Sequence, residues 1–287
     1  MSRPPFLALP DGVRATSVPT PRGPLAALVA EARPGGGSSM TRPPVLLVPG
    51  YTGSKEDFIA VLAPIAAAGH PVVALDQRGQ FESVGDDEPT SYDVKMLAED
   101  VLAVLGTLDG PAHLVGHSFG GLVARAAALA GPEAITSLTL MGSGPASIPA
   151  PADAGVALLV QAVPVMDLET IWVAKRQLER QTELLAPTPE VEEWMHRRFV
   201  SNHPASMLRM AEQLLTAVDS TDELAALGLP VLVLFGDRDD VWPPVLQAAT
   251  AQRLGARVAA LPGIGHSPAA DAPESTVAAL LAFWASV

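Results

Sequence analysis

The sequence contains no cysteine, few aromatic residues, and many fewer basic than acidic side chains. Without cysteine the chain can form no disulfide, no thiolate nucleophile, and no zinc or iron–sulfur site that needs cysteine ligands. Eighteen Lys and Arg against 31 Asp and Glu give a formal net charge of −13. That balance argues against a nucleic-acid partner, because such a protein needs a basic surface.

Long hydrophobic runs are also missing. The apolar run within residues 1–11 is too short and too interrupted by proline for a signal peptide. No stretch approaches the 18 uninterrupted apolar residues of a membrane span, so no span is expected and a cytoplasmic location is the default. With 48% hydrophobic and 17% charged residues, the 287-residue chain can bury a large core, as one domain or as one domain with an insertion.

Short apolar runs alternate with helical patterns through most of the chain. Residues 13–19 and 25–32 are typical of an antiparallel hairpin. Further strands are expected at 45–48, 72–75, 112–115, 135–141, 231–235 and 257–261, and helices at 54–68, 92–108, 121–130, 244–254 and 273–286. The alternation predicts an α/β fold in which helices cover both faces of a mostly parallel sheet.

The alternation stops between residues 145 and 221, where only helical patterns are found. We therefore expect a core domain of residues 1–144 and 222–287, and a helical cap, or lid, of residues 145–221. Such an insertion would lie over the carboxyl ends of the strands, where open α/β sheets bind ligands. The alternative is that this block is only a second packing unit.

A candidate nucleophile lies in the stretch Gly116-His117-Ser118-Phe119-Gly120, between a predicted strand and a predicted helix. In that context a G-x-S-x-G sequence forms a sharp turn that strains the serine backbone and lifts its hydroxyl clear of the sheet. Glycines are needed because side chains at those positions would clash with neighbouring backbone. Ser118 is the predicted nucleophile, and a glycine-rich turn with an incidental serine is the alternative.

A serine hydroxyl needs a base to take its proton, and the chain has six histidines. His266 lies in the predicted loop between the last strand and the last helix, at the carboxyl edge of the sheet, and is the predicted base. His113 falls within a strand and is expected in the core, while His117 is expected to point away from the nucleophile and to be structural. The remaining histidines, expected outside the site, are His70, His196 and His203.

The acid that orients the base is expected after a strand end, between Ser118 and His266 in chain order. Asp237, Asp239 and Asp240 all follow the predicted strand over 231–235. Asp239 is the preferred candidate, and it would accept the Nδ1 hydrogen of the base and fix its tautomer. Asp237 could instead cap the turn, Asp240 could be solvated or pair with an arginine, and turn chemistry alone would also explain the cluster.

These features together resemble the α/β-hydrolase superfamily, over residues 44–284 outside the insertion. The stretch from Val48 to Ser54 resembles the oxyanion loop, with Pro49 where many relatives carry histidine. The stretch from Asp76 to Ser83 resembles D-x-R-G-x-G-x-S, except that Phe81 replaces the second glycine. The resemblance is to a serine esterase or lipase-like member, because relatives with an aspartate nucleophile need Asp where this chain has Ser118.

The resemblance implies a hydrolase that cleaves a carboxylic ester through an acyl-enzyme on Ser118, with no metal, nucleotide or redox cofactor. The oxyanion would be bound by the backbone N–H groups of Tyr51 and Phe119. A small, moderately apolar ester is the expected partner, in a pocket whose candidate residues are Met141, Met166, Trp172 and Trp242. The same residues could instead act on a thioester, lactone, amide or C–C bond or as a cofactor-free perhydrolase, and a non-catalytic ligand receptor is the remaining alternative.

Overall fold

The computed structural model describes residues 2–32, 42–181 and 186–287, and within these ranges eight strands form one sheet. The spatial order of the strands is β1-β2-β4-β3-β5-β6-β7-β8. Their bounds are β1 Val13–Val18, β2 Leu25–Ala30, β3 Val45–Val48, β4 Val72–Leu75, β5 Ala112–His117, β6 Ile135–Met141, β7 Val231–Gly236 and β8 Arg257–Leu261.

The sheet is mostly parallel, as predicted. β1 and β2 form an antiparallel hairpin, and β2 pairs antiparallel with β4. All other neighbours are parallel, from β4 through β3, β5, β6 and β7 to β8. The four-residue strands β3 and β4 are buried along their whole length, as expected for short apolar runs covered on both faces.

Eleven α-helices lie in the described ranges, and short 3-10 helices cover Lys55–Phe58, Pro89–Tyr92 and Pro132–Ala134. The predicted helix over 54–68 therefore begins with a separate 3-10 turn. The α-helices are α1 Ile59–Ala67, α2 Val94–Leu105, α3 Phe119–Ala130, α4 Asp153–Ala162, α5 Leu168–Glu179, α6 Pro189–Val200, α7 Pro204–Thr216, α8 Thr221–Ala226, α9 Pro244–Leu254, α10 Pro268–Asp271 and α11 Pro273–Trp284.

Two apolar clusters lie on opposite faces of the sheet. Successive side chains of a strand point to opposite faces, so Leu46 and Val48 belong to the first cluster while Val45 and Leu47 belong to the second. Helices α2, α3, α7, α8 and α9 contribute to the first cluster, and α1, α10 and α11 to the second. The carboxyl ends of β3 and β5, which lead to Tyr51 and Ser118, are thus held by apolar packing on both faces of the sheet.

The chain between β6 and β7 forms helices α4 to α8, with no strand among its described residues. Three of these helices build a third apolar cluster, in which Trp172 of α5, Trp194 and Phe199 of α6, and Met207 of α7 are buried. Tyr51 and Phe81, from loops at the carboxyl ends of β3 and β4, pack against this cluster. Within the described ranges, no helix combines the length and the apolar character that crossing a membrane requires.

Candidate active site

Ser118 lies at the sharp turn between β5 and α3, with a φ of 54° and a ψ of −122°. A positive φ is strained for a residue with a side chain, and only close packing holds it. A Cβ at Gly116 would clash with the carbonyl oxygen of Gly120, and a Cβ at Gly120 would clash with the carbonyl oxygen of Val48. The two motif glycines are therefore required by contacts that hold the turn against β3.

The predicted nucleophile Ser118, base His266 and acid Asp239 are joined by a continuous chain of hydrogen bonds. His266 Nε2 is 2.9 Å from Ser118 Oγ, and His266 Nδ1 is 3.0 Å from Asp239 Oδ1. Asp239 follows β7, and His266 lies between β8 and α10, so three parallel strands deliver these residues to the same edge of the sheet. The structure thus brings together residues separated by 148 and 27 positions in the chain.

Asp239 is buried and surrounded by donors. Its Oδ1 also accepts the backbone N–H groups of Val241 and Trp242, and its Oδ2 accepts from the side-chain amide of Gln247 at 2.9 Å. Burial by itself would raise the pKa of this carboxyl, but the hydrogen bonds and the nearby His266 outweigh it and hold the pKa below its usual value. The group is therefore a carboxylate at neutral pH.

The two neighbouring aspartates lie elsewhere. Asp237 is exposed, and its Oδ1 accepts the backbone N–H of Gly263 at 2.7 Å, so it links the loop after β7 to the loop after β8. Asp240 is also exposed. Of the three aspartates considered from the sequence, the one whose carboxylate contacts His266 is Asp239.

The loop after β3 passes directly over the nucleophile turn. A Cβ built on Gly50 would lie 2.9 Å from the Cβ of Ser118, so only glycine lets the loop approach this closely. Tyr51 follows, and Phe119 is the first residue of α3. As the first residue of α3, Phe119 has no intrahelical acceptor for its N–H group, and the Tyr51 N–H group lies in the loop that passes over the same turn.

The side chain of Tyr51 has a feature that the sequence did not reveal. Its ring packs against both the first and the third apolar cluster, between the sheet and the inserted helices. Its hydroxyl is buried and has no hydrogen-bond partner among the described residues. Burial raises the pKa of this phenol far above its usual value.

The four candidate pocket residues lie in different parts of the structure: three belong to three different apolar clusters, and one is exposed. Trp242 is fully buried in the first cluster, with its ring centre 6.2 Å from that of His266. Met141 ends β6, and its carbonyl oxygen accepts the Ser118 N–H at 2.9 Å, while its side chain belongs to the second cluster. Trp172 lies in the third cluster against Phe199, and Met166 is 51% exposed. The assignment of all four to a pocket stays a prediction.

Two buried ion pairs beside the site were not anticipated. Arg198 of α6 donates to Asp57 at 2.6 Å, and Lys55 donates to Asp76 at 2.8 Å, with all four side chains almost completely buried. The first pair joins the inserted helices to the short helix that follows the Tyr51 loop. A sequence signal did exist, because Arg198 is four residues after Trp194 and thus shares the apolar face of α6.

Known hydrolases resemble this chain over most of its length. The sequence profile of the alpha/beta hydrolase family matches residues 45–280. Rhodomycin D methylesterase of Streptomyces peucetius is 29% identical over 276 residues, which span 83% of this chain and 90% of that protein. The pimeloyl–acyl-carrier-protein methyl ester esterase of Aeromonas hydrophila is 29% identical over 225 residues, which span 75% of this chain and 85% of the other.

A solved structure gives the same picture at the level of the fold. An esterase from Thermogutta terrifontis matches with a TM-score of 0.73, covering 95% of this chain and 98% of its own. The two sequences are 24% identical, so this likeness concerns the fold alone.

Proposed function

Given that this chain belongs to the alpha/beta hydrolase family, we propose that it is a serine hydrolase that cleaves a carboxylic ester through an acyl-enzyme on Ser118. The observation that carries the proposal is the continuous hydrogen-bonded line from Ser118 Oγ through both ring nitrogens of His266 to Asp239. A nucleophile, a base and an acid that orients the base are the parts that acyl transfer requires.

In the first half of the reaction, His266 Nε2 takes the hydroxyl proton while Ser118 Oγ bonds to the ester carbonyl carbon. The negative charge that develops on the carbonyl oxygen is bound by the N–H groups of Tyr51 and Phe119, each worth about 3 kcal/mol in such sites. Asp239 accepts the Nδ1 hydrogen and stabilises the imidazolium. His266 then gives its proton to the leaving alcohol, and the acyl group stays on Ser118.

In the second half, His266 takes a proton from water, and the resulting hydroxide attacks the acyl carbon. The proton returns to Ser118 Oγ as the carboxylic acid leaves, so the protein ends in its starting state. Asp239 remains ionised throughout, which its depressed pKa and its three other hydrogen bonds favour.

We further propose that residues 145–221 form a cap that, with Tyr51, closes the acyl or alcohol site. The contact of Tyr51 and Phe81 with the third apolar cluster supports this arrangement. A substrate of moderate size and apolar character fits a site bordered by that cluster. The names of the two curated relatives each specify a methyl ester, which supports a small alcohol as the leaving group.

A fluorophosphonate probe tests the mechanism, because it reacts only with an activated serine. We expect the parent protein to be labelled and Ser118→Ala not to be. Ser137→Ala is the matched control, since Ser137 is also buried but bonds to His113 on the same sheet away from His266. A correctly folded parent protein that resists the probe would overturn the proposal.

Substrate preference is tested separately with p-nitrophenyl esters of increasing acyl length and with the methyl esters of the same acids. An apolar acyl site predicts that kcat/KM rises over the first few added methylene groups. A flat response to chain length would contradict the apolar site while leaving the serine mechanism intact.

A further inference from the structure

His117 is the residue before the proposed nucleophile, and its side chain takes no part in the mechanism above. Side chains alternate along β5, so His113, Val115 and His117 lie on the face of the second apolar cluster, away from α3. From that face the ring of His117 reaches the loop that carries His266, and its Nε2 lies 2.8 Å from the main-chain oxygen of His266. The two rings are 5.1 Å apart, centre to centre.

We propose that His117 is a positioning residue that holds the backbone of His266 in place by donating its Nε2 hydrogen to the His266 carbonyl oxygen. The inference rests on the proposed function, since it concerns the same base. A carbonyl oxygen can only accept, so the bond requires the tautomer of His117 with hydrogen on Nε2. The direction of the hydrogen bond is thus fixed by its partner.

The ring also has to remain uncharged. His117 is 5% exposed, and burial, reinforced by the nearby His266, lowers its pKa to about 3. A neutral ring supplies the hydrogen bond without placing a positive charge beside His266, which becomes positive during turnover. A lysine or arginine at this position would donate equally well but would oppose the imidazolium.

His266 depends on such contacts because it lies outside helices and strands, between β8 and α10. Other bonds to this loop attach to its neighbours: Asp237 Oδ1 accepts the Gly263 N–H at 2.7 Å, Arg238 N–H donates to Ile264 O at 2.9 Å, and the hydroxyls of Ser2 and Ser267 are 2.9 Å apart. The bond from His117 acts on His266 itself. Since the imidazole must reach Ser118 and Asp239 at once, a displacement of its backbone weakens both bonds.

The space around His117 leaves little freedom for the ring to move. His117 lines a narrow cleft together with Ser2, Asp57, Phe58, Ser267, Ala269 and Ala270, and that cleft has no room for a water molecule. Among these residues the ionisable one is Asp57, which is engaged by Arg198. A side chain of similar volume is therefore needed in any variant that is meant to remove the hydrogen bond alone.

The test compares three variants with the parent in steady-state hydrolysis of a p-nitrophenyl ester. His117→Leu removes the donor, and His117→Gln keeps an N–H group on a side chain of similar length. His113→Leu is the matched control, because His113 is on the same face of β5, is equally buried, and bonds to Ser137 rather than to the His266 loop. Thermal unfolding of each variant separates loss of folding from loss of turnover.

We expect His117→Leu to lower kcat by about 10- to 100-fold with KM changed less than about threefold, because a misplaced base costs rate rather than binding. His117→Gln should recover most of the loss, and His113→Leu should lose stability but keep kcat per folded molecule. The proposal is wrong if His117→Leu keeps the parent kcat, if the loss is in KM alone, or if His117→Gln falls as far as His117→Leu.

Failure of the proposed function gives a different result. In that case the parent protein itself resists the fluorophosphonate probe. A crystal structure of His117→Leu then tests the positioning alone: a displaced His266 ring supports it, and a ring that stays within about 0.5 Å of its parent position overturns it.

Discussion

Replacing Asp239 by asparagine isolates the charge of the carboxylate from its shape. The asparagine oxygen can occupy the Oδ1 position, where it still accepts from His266 and from the N–H groups of Val241 and Trp242. What disappears is the negative charge, which matters when His266 becomes an imidazolium in the transition state. We therefore expect a loss in kcat that far exceeds the loss in substrate binding.

The size of the loss follows from the geometry. Opposite unit charges at the 3.0 Å separation of His266 Nδ1 and Asp239 Oδ1 attract by about 5.5 kcal/mol at an effective dielectric constant of about 20. Since each 1.36 kcal/mol is a factor of ten in rate, this corresponds to about 10⁴-fold. Both charges are delocalised and the His266 side chain is 20% exposed, so we expect about 10³- to 10⁴-fold.

Folding has to be measured alongside the rate. The asparagine NH₂ group would face the amide nitrogen of Gln247, which donates to Oδ2 in the parent, so we expect a stability cost of about 1–3 kcal/mol. Steady-state kinetics on a p-nitrophenyl ester, corrected for the folded fraction, gives the rate effect. Asp237→Asn and Asp240→Asn are the matched controls, and each should change kcat by less than about tenfold. Near-parent turnover of Asp239→Asn would refute the reasoning.

Three further outcomes concern stability. Burial lowers the pKa of His113 to about 4 and also lowers that of His70, so these rings bind protons more readily once unfolded. The contribution of these rings to the free energy of unfolding should therefore fall as pH decreases from about 6.5 towards 4, and an equal change of urea midpoint between pH 7 and pH 5 in the parent and in His113→Leu would contradict this. Arg198→Met should destabilise by about 3–5 kcal/mol because it leaves Asp57 buried and unpaired, and adding Asp57→Leu should recover most of that loss in urea titrations. Tyr51→Phe deletes a buried hydroxyl that has no partner among the described residues, so the free energy of unfolding should rise by about 1–2 kcal/mol. The melting temperature should rise with it, and a lower melting temperature would contradict this expectation.

The fold was predictable because its strands carry local signals. Short apolar runs bounded by glycine or proline mark buried parallel strands, and all of the strands expected from the sequence occur in the sheet. The family and its class of enzyme, a hydrolase, are confirmed by the profile match over residues 45–280. Boundaries were less accurate: β5 runs to His117 rather than ending at residue 115, because pairing with β6 continues to the nucleophile turn.

Residue type and chain order were enough to single out Ser118 and His266, whose side chains lie 2.9 Å apart, and their catalytic roles stay a prediction. The contacts that support the candidate site were not predictable, because they join residues far apart in the chain. Arg198 and Asp57 are 141 positions apart, and His117 and His266 are 149 apart. His117 was expected to be structural and to point away from Ser118. Its ring does lie on the other face of β5, yet no periodicity indicates that it meets the loop of the base.

The distribution of the apolar residues between β6 and β7 has a consequence for protein engineering. Trp172, Trp194 and Phe199 belong to the third cluster, but Met210 and Leu214 of α7 belong to the first, so exchanging the insertion for that of a relative requires repacking of that face of the sheet. The nucleophile turn tolerates even less change, since an added Cβ at Gly116 or Gly120 meets main-chain atoms. A transplanted insertion would have to bring its own cation for Asp57, which otherwise stays buried without its partner.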